Sequence, residues 1–181
     1  RRRNIVERVR ERVPQFAAGL QAVAEHPLVG EARSCGLMGA LELAPDLAES
    51  HVAAGIANCM VRDYRQAEEE FEKAVELDPE NFDAWYFFAR NKVHEGDLER
   101  AVKLFERASQ VRPEDYQSVL LQSQLWHSLG DSKREQETAR RGIERARAVL
   151  ELNPDDNRAY NIGAFALLRL GEQEEAVKWM E

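Results

Sequence analysis

"WYFFARNKVHEGDLERAVKLFERASQVRP", residues 85–113, sets small, large and chain-breaking residues at fixed distances from Trp85. Gly96 lies 11 residues on, Ala101 16, Phe105 20, Ala108 23 and Pro113 28. The same offsets from His51 reach Arg62, Ala67, Phe71, Ala74 and Pro79, so that only the glycine is replaced. From Tyr160 they reach Gly171, Ala176 and Met180. His51, Trp85 and Val119 follow one another at 34 residues. A fixed period of that length is the mark of a stacked-repeat architecture.

Each position has a physical role in a pair of antiparallel helices. Alanines at 67, 74, 101 and 108 let two helix axes approach closely. Phe71 and Phe105 fill the space between helices with large apolar side chains. Gly96, Gly130 and Gly171 supply the left-handed residue that ends a first helix. Asp97 and Asp131 cap the following one. Pro79, Pro113 and Pro154 stop the second helix. With this set at this period, residues 47–181 resemble the tetratricopeptide repeat family. The resemblance implies an all-α solenoid of antiparallel helix pairs, with repeats at about 48–81, 82–115, 116–156 and a shortened 157–181.

The third repeat is longer. Val119 and Gly130 keep register, but Pro154 comes seven residues late, or about two helical turns. The spacing predicts one long Arg/Glu-rich helix over "SKREQETARRGIERARAVLEL", 132–152. In this it resembles long-helix repeats of bacterial multi-domain signalling proteins.

Residues 1–46 have a different character: an amphipathic helical pattern, then "HPLVGEAR" (26–33) and "GLMGALEL" (36–43). These motifs resemble the C-terminal segment of class III aminotransferases, with Ser34 where that family more often has glycine. Pyridoxal phosphate chemistry needs a lysine for the Schiff base, and residues 1–46 contain none. No catalytic residue carries over. The alternative to a binding module is therefore an aminotransferase fragment, inactive without its missing body, and no cofactor is expected. The junction admits two readings: "ALELAP" (40–45) nearly repeats "AVELDP" (74–79), so 36–43 is either a strand or a helical half-cap on the first repeat. The half-cap is favoured, because a lone two-stranded hairpin is marginal, although Gly36 and Gly39 oppose it.

Composition narrows the function. The 181 residues suffice for one buried domain plus an appendage. Ten glycines and six prolines are few for an all-β chain. The first residue is Arg and Glu181 falls inside a helical pattern, as expected of a fragment. The net charge is −8, and residues 1–46 are close to neutral, so the repeats form an acidic body. This argues against a nucleic-acid partner, which needs a basic footprint. Arg1–Arg3 read as a solvated helix end. No membrane partner is expected, since no apolar run is long enough for a span. Without a signal-peptide core, and with only Cys35 and Cys59, the expected compartment is the cytoplasm. Phosphate-loop, HExxH and calcium-loop patterns are absent. His26, His51, His94 and His127 are scattered, so no metal is expected.

Counting round the first helices points Val52, Ile56, Tyr86, Phe87, Arg90, Leu120, Gln124, Arg158, Asn161 and Phe165 toward a groove. Aromatics plus arginines suit an extended peptide with apolar anchors and one or two carboxylates. Equally, Tyr86 and Phe87 pack between repeats and Arg90 is solvated. In chaperone-binding members of the family a lysine/asparagine clamp holds a carboxylate; Val52, Ile56 and Arg90 stand at such positions here, which argues against that specificity. The expected function is a non-catalytic module that holds a protein or peptide ligand. A second route to association is pairing of copies through the C-terminal end of the stack.

Overall fold

The computed structural model describes residues 5–44 and 46–180. Arg1–Asn4, Pro45 and Glu181 lie outside the described residues, and with them the expected solvated helix end at Arg1–Arg3. The chain begins with α1 (Ile5–Ala24), β1 (Val29–Cys35) and β2 (Met38–Leu43). Four helix pairs follow: α2 (Ala48–Met60) with α3 (Tyr64–Leu77), α4 (Phe82–Glu95) with α5 (Leu98–Val111), α6 (Gln117–Ser128) with α7 (Ser132–Leu152), and α8 (Asn157–Leu170) with α9 (Gln173–Met180).

The half-cap reading of 36–43 is overturned, because β1 and β2 form an antiparallel hairpin. Cys35 faces Met38 across a two-residue turn. Gly36 has φ +64° and Leu37 does not share the positive φ, the pattern of a type II′ turn. Gly39 lies directly beneath Phe16 and Leu20 of α1, where an added Cβ would stand 3.0 Å from both side chains. The two glycines that would weaken a helix thus serve the turn and the close approach of α1. That helix gives the hairpin the covering layer that an isolated one lacks. Arg33 adds a cross-strand pair to Glu42 at 3.2 Å.

The repeat positions behave as their chemistry requires. Asp63, Asp97 and Asp131 each accept a bond from the backbone N–H three residues on, capping α3, α5 and α7. Gly96, Gly130 and Gly171 are left-handed, with φ of 84°, 77° and 83°. Arg62, at the equivalent point after α2, is left-handed too, with φ 64°. Ala67, Phe71 and Ala74 are fully buried, as are Ala101 and Ala108, with Phe105 almost so. Phe71 seats its ring on Gly55 of α2, where a Cβ would stand 2.6 Å away.

The third pair reverses this knob and hole. Ala139 stands where the earlier pairs have Phe71 and Phe105, and Gly142 where they have Ala74 and Ala108. Leu120 of α6 drives its side chain over Gly142, 2.5 Å from where a Cβ would be. One core cluster spans α3 to α6, and a second spans α6 to α9. Beside the first, Lys92 is 2% exposed and pairs with Glu68 and Glu95, while Arg100 pairs with Glu68 and Glu72. Burial alone would raise the Glu68 carboxyl, but Lys92 and Arg100 outweigh it and hold it below the ordinary range.

Candidate functional site

The first helices α2, α4, α6 and α8 carry equivalent residues two, five and nine positions after His51, Trp85, Val119 and Tyr160. The middle set is Ile56, Arg90, Gln124 and Phe165. Three hollows run along these residues. The first, about 210 Å³, lies between α2 and α4 and includes Ile56, Met60, Phe87, Arg90 and His94. The second, about 190 Å³, lies between α4 and α6 and includes Arg90, His94, Leu121 and Gln124. The third, about 430 Å³, lies between α6 and α8 and includes Leu121, Gln124, Asn161, Phe165 and Arg169. Arg90 and His94 are shared by the first two, and Leu121 and Gln124 by the last two. The hollows therefore adjoin and make one groove.

Six of the ten sequence-predicted residues line it: Ile56, Phe87, Arg90, Gln124, Asn161 and Phe165. Three do not. Val52 is 7%, Tyr86 9% and Leu120 0% exposed, all packed in core clusters. Each sits one residue after the repeat's first packing position, on the side of the helix that meets its partner. Leu120 is withdrawn furthest, as the knob over Gly142. Arg158, the fourth, donates to Gln117 Oε1 at 3.1 Å, and the Tyr86 hydroxyl donates to the same oxygen at 3.4 Å. Met60, His94, Leu121, Ile162 and Arg169 line the groove without having been singled out. Following Phe87 by 34 residues to Leu121, and His94 back to Met60, would have found two of them.

Charge is unevenly distributed here. The guanidinium of Arg90 rests against the rings of Tyr86 and Phe87, at 5.9 and 5.8 Å from their centroids. Burial pushes the Tyr86 hydroxyl above its ordinary range, with the Arg90 charge opposing. Burial likewise pushes the Cys59 thiol up, again against Arg90. Cys59 donates to Asn91 Oδ1, and the buried Asn91 amide donates to Tyr64 O and Glu95 Oε1. His94 stacks on Tyr64 at 5.6 Å. His51 bonds Glu70 at 2.6 Å and holds that carboxyl below its ordinary range. His127 lies beside Glu135. Among the described residues no group of three His, Cys, Asp or Glu is placed to hold a metal, and no helix is long and apolar enough to cross a membrane. A larger cavity, about 720 Å³, lies elsewhere, between α5 and α7 over α6, and mixes Glu99, Glu106 and Glu137 with Lys103, Arg134 and Arg141.

Comparison with known proteins agrees with this architecture. Two tetratricopeptide repeat family models match residues 60–125 and 127–181, together about two thirds of the chain. No curated protein matches. Among solved structures, MamA 41-end from Desulfovibrio magneticus RS-1 is 21% identical over 75% of this chain and 73% of its own, with TM-score 0.54. YrrB, described as a TPR protein with an unusual peptide-binding site, is 21% identical over 74% of this chain and 66% of its own, with TM-score 0.55. The type III secretion translocator chaperone SycD of Yersinia enterocolitica is 12% identical over 70% of this chain and 96% of its own, with TM-score 0.58. These likenesses concern the fold. The family matches begin at residue 60, and nothing in the comparisons supports the aminotransferase resemblance of residues 4–43. By its repeat spacing, its paired helices and these matches over residues 60–181, the chain belongs to the tetratricopeptide repeat family.

Proposed function

We propose that this chain is a non-catalytic interaction module that holds a peptide, or an extended segment of a partner protein, in the groove of its first helices. The observation that carries this is the continuity of the three hollows, which run across four helix pairs and share Arg90, His94, Leu121 and Gln124. A ligand several residues long can contact all of them at once, whereas a compact small molecule would use only one. Large apolar side chains are available at both ends, with Met60 81% and Phe165 60% exposed. YrrB, of similar fold, is described by its peptide-binding site. Residues 1–46 act as an appendage to the module at 47–181. Both cysteines are free, in keeping with a reducing compartment such as the cytoplasm.

The test is capture from lysate on the immobilised chain, beside a Met60→Ala, Phe165→Ala double variant. Both side chains are exposed, so the variant keeps the wild-type melting curve. A partner identified on the wild type and lost from the variant supports the groove. Equal retention by both would move the working surface elsewhere.

A further inference from the structure

We propose that the ligand of this groove is an extended peptide in which one or two carboxylates alternate with large apolar side chains, the first carboxylate seated on Arg90. The proposal rests on the groove reading above and adds the chemistry of the occupant.

The first observation is the lining itself. The chain has 33 acidic against 25 basic side chains, yet among the described residues no Asp or Glu lines any of the three hollows. Arg90, Arg169 and His94 do. An acid-free, cationic strip in an acidic molecule is complementary to carboxylate and repels a lysine-rich segment.

The second observation is that the cations behind the groove are neutralised while Arg90 is not. Lys92 and Arg100 are taken up by Glu68, Glu72 and Glu95. Among the described residues no carboxylate pairs with Arg90, which lies against the ring faces of Tyr86 and Phe87 and beside the Tyr86 hydroxyl. Contact with two rings that meet edge to face limits where the guanidinium can lie and uses few of its five N–H donors, so that N–H groups are left for a carboxylate. Arg90 also belongs to two hollows, so a carboxylate on it would have Ile56 and Met60 on one side and Leu121 on the other. Arg169, in the third hollow beside Phe165, repeats the combination of cation and apolar contact. The sparse apolar spacing suits a peptide. A nucleic-acid backbone would place a charge at every step against a body of net charge −8.

The experiment is selection of a random twelve-residue peptide library on the wild-type chain, followed by synthesis of the enriched sequences with free and with amidated C-termini. The expected winners carry Asp or Glu within two residues of Phe, Leu, Ile or Met. Changing the acid to its amide, or Arg90→Gln in the protein, weakens binding about tenfold or more. Combining the two adds little, because both remove the same contact. Arg90→Lys restores part of the loss. If only the free C-terminus is required, the carboxylate is terminal; if amidated peptides bind equally, it is a side chain. Winners without acids that are still lost from the Met60→Ala, Phe165→Ala variant would overturn the carboxylate assignment and leave the groove standing. Acid-dependent binding indifferent to Arg90→Gln would overturn Arg90 as its seat. No enrichment that depends on either variant would overturn both the assignment and the groove.

Discussion

Arg62 holds a left-handed backbone, φ 64°, where the three later pairs place glycine. A residue with a Cβ pays about 1 kcal/mol for that conformation, and the repeat imposes it because the chain must turn from α2 into α3. Arg62→Gly is therefore expected to stabilise the protein by up to ~1 kcal/mol, offset in part by the freer unfolded glycine; urea titration measures it. Lys92 carries a second prediction. With 2% of its surface exposed and two carboxylate partners, Lys92→Met leaves Glu68 with Arg100 alone and is expected to cost roughly 2–3 kcal/mol. The acid dependence follows from Glu68 and Glu70, both held below the free value of 4.5. Their contribution is complete above that value and is lost as pH falls through the lower folded values. Melting temperature should thus hold from pH 7 to 5 and drop below about 4.5, with a shallower drop in Lys92→Met.

At the scale of elements, the joints between second helices differ. Arg100 of α5 ties to Glu68 and Glu72 of α3, and Arg147 of α7 to Glu172 and Glu175 on the α9 side. Between α5 and α7, among the described residues, no ion pair is formed, and the 720 Å³ cleft lies there. Arg134 is the repeat equivalent of Arg100, but the counterpart of Glu68 is Val102. Arg134 turns instead to the Trp126 ring, 4.6 Å away, and to its own cap residue Asp131. Equal repeat positions should then give unequal effects. Arg100→Ala is expected to cost about 1–2 kcal/mol through a network of two carboxylates and the Phe88 ring, and Arg134→Ala less than ~1 kcal/mol. Chemical denaturation of the two variants in parallel decides it.

Over the whole molecule, α1 and the hairpin pack on one another, and no residue of α1 is buried. The repeats bury their own apolar faces in clusters from α2 to α9. Removing residues 1–46 should leave cooperative unfolding and the helical circular dichroism of the repeats, with the melting temperature moved by about 5 °C or less. Loss of a cooperative transition in that truncated chain would show that the N-terminal unit is part of the repeat core.

The 34-residue spacing alone determined the helix pairs, the caps at Asp97 and Asp131, the glycine turns and the extent of α7, because each follows from local backbone chemistry and from contacts between neighbours in sequence. Six groove residues were legible in the same way. What the tertiary structure decided depends on partners distant along the chain. One step along a helix turns a side chain by about 100°, which the repeat spacing could have used to choose Leu121 over Leu120; that Leu120 reaches across to α7 depended on Ala139 and Gly142 leaving a hole for it to fill. Residues 36–43 could equally complete a helix or a hairpin, and the choice lay with Phe16 and Leu20, some twenty residues upstream, which cover Gly39 only in the strand.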